Sequence, residues 1–477
     1  MAKKNLINIF FKILVIAAIA YAFILIALIK IKIAVVISLI FFLMTIILIF
    51  FSKIDEKKFF LVFFFIYPLL PGLWGVNLPF GLPVLRAHRI ATVIMIIYLI
   101  RNGLFIKYYM NFFRTRLFNL PIFFIILSLF TSSILSSVVV SSIFFTISFI
   151  FELILLGIVV YNAFTEREEI ESLVKILCYS AIILSFICIY EKFSGFNIYT
   201  ILGTYQDPDT LLTLMRDETI RVRGPFIHPI SCGIYFAMIF PLVLYKYRDV
   251  YGKFYLSLGL ISIILLATQS RGAQIGAFIA ITLYIIFIER KKIMILLFAS
   301  IPLIIIYFEK IYMYLRELNP FTVTDEALVA STMDRYIQFD FYIQYIKERL
   351  LFGYGLESQQ PLLRDLLDGR MGMYSDSIDN FYLGYSLRFG IVGLTTWLYL
   401  MIEVIRKPLK LFGKGIFQDK LILSLLSSFI IFDITNIIVF LWHYHFVFWI
   451  FLGVLTRLMV IKNNELINIK KQEKVTN

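Results

Sequence analysis

Long apolar runs separated by short charged segments organise the chain. Crossing a bilayer takes a run of about 17–25 mostly apolar residues. Such runs fall at 6–29, 32–51, 59–76, 84–101, 119–135, 138–162, 172–190, 229–246, 254–270, 273–288, 293–308, 380–403, 420–440 and 442–460. The pattern predicts an all-α polytopic membrane protein with about 12–14 transmembrane helices. No internal repeat or low-complexity linker interrupts it, so residues 1–477 are read as a single integral membrane domain. The first run is too long for a signal-peptide core and has no clear small-residue cleavage site, which predicts a retained first helix.

Short cytoplasmic loops collect Lys and Arg. With Lys3 and Lys4 inside, alternation also puts SKIDEKK (52–58), RNGLFIKYYMNFFRTR (101–116), TEREEIE (165–171) and KYRDVYGK (246–253) inside. ERKK (289–292), RKPLKLFGKG (406–415) and the tail KNNELINIKKQEKVTN follow, and only KIK at 30–32 dissents. Both termini are therefore expected in the cytoplasm. The outer side receives 77–87, a first large loop at 191–228, a tight turn at 270–272 and a second large loop at 309–378. These carry Arg86, Arg216, Arg221, Arg223, Arg271, Arg335, Arg364 and Arg370, and Arg89 lies just inside the following span. Positive charge on the side where insertion does not require it asks for an anionic ligand.

Composition agrees with the pattern. The chain is 61% hydrophobic and 16% charged, whereas a soluble domain is nearer half and a quarter. A net charge of +14 would suggest nucleic acid in a soluble protein, but here the insertion bias accounts for it. No nucleic-acid module is present, and no nucleic-acid partner is expected. Cys178, Cys188 and Cys232 have no metal spacing and read as small buried hydrophobes.

Four stretches carry candidate chemistry. RVRGPFIHPISCGIYFAMIFPLVL (221–244) runs from the outer loop into a span, broken at Gly224-Pro225 and restarted at His228-Pro229. Arg221 and Arg223 would sit at the outer rim, near a helix N-terminus whose free amides also favour anions. A snorkelling pair that anchors the helix to headgroups is the structural alternative. ATQSRGAQ (267–274) joins two apolar runs without a real loop, so Arg271 sits in or just below the outer interface. At mid-bilayer an Arg costs about 3 kcal/mol. Ser270, Gly272 and Ala273 allow close approach of another backbone or a ligand, and a headgroup-paired hairpin Arg is the alternative.

In 331–360, Tyr336, Phe339, Tyr342, Ile343 and Ile346 recur at helical spacing. They predict an amphipathic helix on the outer surface, ended by Gly353 and Gly355. Arg335 lies near its start, where the helix dipole disfavours a cation, unless it pairs with Asp334 or Asp340. In SIDNFYLGYSLRFGIVGLTTWLYLM (377–401), Asp379 and Asn380 stand at the outer end of a helix, where either could be an ordinary N-cap. His443 and His445 are two apart, so one helix would not direct both to one metal, and they read as interfacial. Glu152 and Asp433 fall inside apolar spans, as proton-relay or helix-packing groups; Thr435 and Asn436 beside Asp433 favour packing there. Gly-rich phosphate loops and zinc motifs are absent, and neither a metal nor a cofactor is expected.

Taken in chain order, the motifs are Arg-Gly-Pro-Phe-x-His-Pro, Ser-Arg-Gly-Ala, Ser-x-x-x-Arg (Ser331 to Arg335), Phe-Gly-Tyr-Gly (352–355), Asp-Asn-x-Tyr-Leu and Phe-Gly-Ile-Val-Gly-Leu (389–394). Over 221–394 this order resembles the O-antigen polymerase and O-antigen ligase superfamily of bacterial polysaccharide assembly. The resemblance implies a multi-pass inner (plasma) membrane, metal-independent, GT-C-type glycosyltransferase. Its donor would be a polyprenyl-diphosphate-linked oligosaccharide, with membrane lipid and a chain-length regulator as further partners. By the match, Arg223, Arg271 and Arg335 hold the diphosphate, with Arg221, His228, Asn380 and Arg388 as further substrate-binding candidates. Ligase-like members usually carry His-Asn where this chain has Asp379-Asn380, and often an acidic residue at Arg388, which puts the polymerase reading ahead.

Transfer from a lipid diphosphate needs a base for the acceptor hydroxyl and stabilisation of the charge left on the diphosphate. Arg suits the second role, being always charged, forked and able to bind phosphate oxygens in pairs. Asp379 is the candidate base, with Asp334, Asp340 and Glu357 as competitors. The expected function is polymerisation of lipid-linked repeat units of O-antigen, capsule or exopolysaccharide on the outer face. The alternatives are a ligase that transfers glycan to a lipid A core or other acceptor, and a lipid-linked oligosaccharide flippase. The latter would place its arginines along a mid-depth cavity.

Overall fold

The computed structural model describes residues 55–72, 74–76, 84–202, 215–216, 219–288, 339, 342–355, 378, 380–437 and 445–476. The expected spans 6–29, 32–51 and 293–308 lie outside the described residues, as do Asp334, Arg335, Asp340, Glu357, Arg364, Arg370, Asp379 and His443.

Helices account for nearly all the described structure. In chain order they are α1 (Glu56–Ile66, continued by a 3₁₀ turn at Tyr67–Leu69), α2 (Ala87–Arg101), α3 (Leu104–Arg114), α4 (Asn119–Ile134) and α5 (Val139–Ala163). There follow α6 (Arg167–Ser194), α7 (Pro229–Tyr247), α8 (Tyr251–Ala267), α9 (Arg271–Ile288), α10 (Phe381–Phe412), α11 (Lys420–Asn436) and α12 (His445–Thr476). Two short antiparallel ladders, Gly75–Val76 with Leu85–Arg86 and Met215–Arg216 with Thr219–Ile220, complete it. Among the described residues, α5, α6, α7, α10 and α12 are each long and apolar enough to cross a membrane, and α4 and α8 are shorter apolar helices. The chain is an integral membrane protein, all-α and polytopic.

The order of apolar runs is kept, with three corrections. The basic segment 101–116, expected as a loop, forms helix α3, bent 95° from α2. Helix α12 continues through the polar tail to Thr476, so the last apolar run is only its first part. His445 is not interfacial: it is buried among the rings of Phe381, Trp397 and Phe432.

Small residues set the helix spacing, as membrane packing favours. Helices α5 and α12 touch where Gly157 meets Gly453, and a Cβ on Gly453 would lie 2.4 Å from the Gly157 carbonyl oxygen. Helix α7 is almost wholly buried, packed by α6, α8, α9 and α11. Gly276 of α9 rests on Ile431 and Thr435 of α11, and Ser428 of α11 donates to the Met238 carbonyl of α7 at 2.7 Å.

Inside the bundle, Glu152 lies in a π-helical turn of α5 (Ile150–Ile154) and pairs with Arg89 of α2, Nε to Oε1 at 2.5 Å. Arg89 also donates to the Val84 carbonyl. Asp433 accepts a 3.4 Å contact from the Tyr382 hydroxyl of α10, the helix-packing contact expected for it. All three cysteines are buried.

Candidate active site

Helix α6 ends at Gly195, which takes a left-handed conformation (φ +69°) and donates to the Glu191 carbonyl at 3.0 Å. This leaves the Glu191 side chain at the last turn, only 4% exposed. Its carboxylate accepts from the backbone of Arg223 (3.3 Å to each oxygen), from Gly224 N (2.8 Å) and from Asn197 Nδ2 (2.9 Å). Asn197 also donates to the Gly224 carbonyl at 2.8 Å. These bonds from neighbouring backbone N–H groups to one buried carboxylate fix the shape of the Arg-Gly-Pro turn. Gly224 is required: its φ is +56°, and a Cβ would lie 2.9 Å from Cys188 Sγ.

The arginine-bearing segment then runs along the end of α8. Val222 N donates to the Ala267 carbonyl (3.2 Å) and Arg221 Nε to the Thr268 carbonyl (3.0 Å). On the far side, Gly72 N donates to the Pro225 carbonyl at 2.7 Å. The Thr-Gln-Ser turn between α8 and α9 is closed locally by Thr268 Oγ1 on the Leu265 carbonyl and by Gln274 Nε2 on the same oxygen. Gln269 within it has φ +49°. The turn lies tightly on α7, because a Cβ on Gly233 would come within 2.9 Å of both Ala273 Cβ and Thr268 Oγ1. Two motifs some forty residues apart are thus built into one structure. Arg271 is the first residue of α9, where the helix dipole gives a cation no support.

Within this cluster Arg223 is 6% exposed, and its Nε has no hydrogen-bond partner among the described residues. Burial lowers its affinity for the proton and the nearby Glu191 carboxylate raises it, with burial the larger influence. Arg nonetheless stays charged in proteins, so the cluster holds a buried cation with an unused donor. His228 caps α7, its Nδ1 accepting from Ile230 N at 3.1 Å. Burial, then repulsion from Arg221 and Arg223, pushes His228 down to about 4, so it is neutral at physiological pH.

The later motifs form a second assembly. Helix α10 is broken at Gly390 (φ +66°), and the segment 350–355 supplies the missing backbone partners. Tyr354 N and Gly355 N donate to the Leu387 and Arg388 carbonyls at 3.0 and 2.8 Å, and Ile391 N and Val392 N donate to Leu350 and Leu351. A Cβ on Gly390 would lie 2.2 Å from the Leu351 carbonyl oxygen. Phe-Gly-Tyr-Gly and Phe-Gly-Ile-Val-Gly-Leu are therefore two halves of one backbone repair. Just before them, residues 342–348 are helical, and Tyr342 is buried against Tyr354, Leu383 and Leu387, giving the end of the expected amphipathic helix. Asn380 caps α10, its Oδ1 accepting from Leu383 N at 3.0 Å, and Arg388 is half-buried.

Residues 256–398 match the family described as O-antigen ligase. Over this stretch the chain is similar to that family, which supports the resemblance to the O-antigen ligase and polymerase superfamily. The match covers less than a third of the chain and includes Arg271, Arg335, Asp379, Asn380 and Arg388. Arg221, Arg223 and His228 precede it, and the hydrogen bonds to Ala267 and Thr268 tie their segment to the domain. No curated protein matches the chain. The family implies a glycosyltransferase-like membrane enzyme of the ligase or polymerase type that acts on lipid-linked oligosaccharides.

Glu191 and Asn197, which organise the arginine turn, were not singled out in the sequence. The signal was a carboxylate at the end of an apolar run, followed by Gly195 and Asn197. Among the described residues, no group of three or more His, Cys, Asp or Glu side chains is placed to hold a metal.

Proposed function

We propose that this protein polymerises polyprenyl-diphosphate-linked oligosaccharide repeat units on the outer face of the bacterial inner membrane. The observation that carries the reading is Arg223: buried, charged, and with an Nε that has no hydrogen-bond partner among the described residues, in a turn clamped by Glu191 beside the Ser-Arg-Gly-Ala turn. Such a group suits a phosphate oxygen. In the reaction the acceptor hydroxyl attacks the anomeric carbon of the donor, and the bond from that carbon to the diphosphate oxygen breaks. The hydroxyl proton goes to the base, for which Asp379 is the candidate, and the leaving diphosphate carries the negative charge. Arg223, Arg271 and Arg335 stabilise that charge, with Arg221, His228, Asn380 and Arg388 around the substrate.

The test is Arg223→Ala and Arg271→Ala in cells that make the polymer. Loss of one such charge-stabilising group costs about a hundred- to a thousandfold in rate, so single lipid-linked repeats should accumulate in place of long chains. Wild-type chain length in both variants would overturn the reading. Transfer of a finished glycan to a lipid A core is the second reading, favoured by the family description over 256–398. It would appear as loss of the capped acceptor with polymer still present on the polyprenyl carrier.

A further inference from the structure

The arginine turn occupies one end of α6. The opposite end carries a different charged site. Glu191 lies 24 residues beyond Arg167 along the helix, about 36 Å at 1.5 Å per step, enough to put the two ends on opposite surfaces of the bilayer. Beside the Arg167 end is a cavity of about 490 Å³, lined by Lys57, Lys107, Arg114 and Arg457 together with Asp55 and Glu56.

Both acidic groups have local work. Asp55 caps α1 by accepting from Lys57 N, and Glu56 accepts from the Tyr108 hydroxyl. Lys57 is paired with Glu169, and Arg457 donates to the Thr165 carbonyl at 3.1 Å while lying 5.1 Å above the Tyr161 ring. Among the described residues no ion pair is formed by Lys107 or Arg114. The cavity therefore keeps a surplus of positive charge.

Helix α3 says what kind of anion this charge meets. It turns 95° away from α2, and it is only 11 residues long, too short to span. Lys107, Asn111 and Arg114 of α3, spaced by four and three, line the cavity from one face. On the neighbouring face Ile106 and Met110 are 75% and 50% exposed. A short helix with a basic face and an exposed apolar face lies in the bilayer interface, which brings the cavity to headgroup depth. We propose that this cavity binds the phosphate of an anionic lipid headgroup, on the surface opposite the arginine turn. Basic pockets beside membrane helices take such headgroups, and lysine and arginine side chains supply the matching donors.

The experiment uses the purified full chain in vesicles of phosphatidylcholine with and without phosphatidylglycerol, and in detergent with inorganic phosphate. Bound lipid is counted by native mass spectrometry, and melting temperature is followed alongside. Phosphatidylglycerol should bind and raise the melting temperature. Lys107→Gln/Arg114→Gln should weaken that binding roughly thirtyfold, from about a fivefold loss for each cation removed. Equal melting of variant and wild type in phosphatidylcholine alone shows that the variant folds, and if it does not, Lys107→Gln alone carries the test. Unchanged phosphatidylglycerol binding by the folded variant overturns the proposal. So does equal protection by inorganic phosphate, which would make the ligand a free anion.

Discussion

Replacing Glu191 with Gln tests whether the arginine turn is held by this one carboxylate. The side chain keeps its shape, but one oxygen becomes an NH₂ donor that faces donors. The two short contacts use different oxygens, Gly224 N on Oε2 at 2.8 Å and Asn197 Nδ2 on Oε1 at 2.9 Å, so either amide orientation loses one of them. A net hydrogen bond to a charged group is worth about 1.5–3 kcal/mol, and a donor left buried without a partner costs more. The change also removes the negative charge beside Arg223. Together these put the cost near 3 kcal/mol, the lower end for breaking a buried charged network. Since every 1.4 kcal/mol is tenfold, the ordered turn should lose roughly a hundredfold in population relative to its open forms. Under the proposed polymerase function, the assay is chain length of the glycan made in cells by Glu191→Gln, with thermal melting of the purified protein beside it. Short products with a lowered melting temperature are expected. Long polymer and unchanged melting would refute the role given to Glu191.

Two further outcomes test the same neighbourhood. Gly233→Ala inserts a methyl group 2.9 Å from Ala273 Cβ and Thr268 Oγ1, so it should destabilise by about 1–3 kcal/mol and lower polymer yield by displacing the Arg271 turn. Gly259→Ala, which meets only open space in mid-helix, should be neutral or stabilising by up to about 1 kcal/mol, and equal melting of the two variants would contradict the packing argument. His228 is pushed down to about 4 in the folded protein, below the ordinary value of 6.5. Its contribution is therefore complete above pH 6.5 and is lost as pH falls toward 4, because only the unfolded chain takes up the proton in that window. His228→Asn can still cap α7, and its melting temperature should fall less than that of wild type between pH 7 and 4.5. Parallel curves would count against a half-buried, neutral His228.

Most helices were legible because hydropathy alone locates membrane-crossing segments: α4, α5 and α7 lie within a residue or two of the apolar runs that predict them. The turn before Arg271 was legible for the same reason, since no polar stretch separates α8 from α9. Helix α3 was not. Its charges resemble a cytoplasmic loop, and eleven residues offer too few periods to assert a helix against them. The break at Gly390 was hidden as well: it falls inside one apolar run, and what exposes it is segment 350–355 bonding to Leu387–Val392. At the site, Arg221 and Arg223 could be placed at a rim, but Glu191 could not be joined to them. That contact spans 32 residues and is made to backbone N–H groups, which leave no trace in residue type.

The way Glu191 is used bears on what the arginines can do. A carboxylate next to a buried Arg would ordinarily form a bidentate ion pair and consume the guanidinium. Here its hydrogen bonds go to the backbone of Arg223 and Gly224 and to Asn197. Arg221 donates its Nε to a carbonyl, Thr268 O, which carries no formal charge. The turn is thus held by a carboxylate that leaves Arg223 Nε without a hydrogen-bond partner among the described residues. A buried donor left unsatisfied costs about 1–3 kcal/mol, and under the proposed function a phosphate oxygen offsets that cost on binding. A purely structural rim arginine would have its donors met by lipid headgroups or water, as snorkelling side chains do. Arg223 is too buried for that, and this burial is what supports the proposed role of Arg223 in holding an anionic substrate.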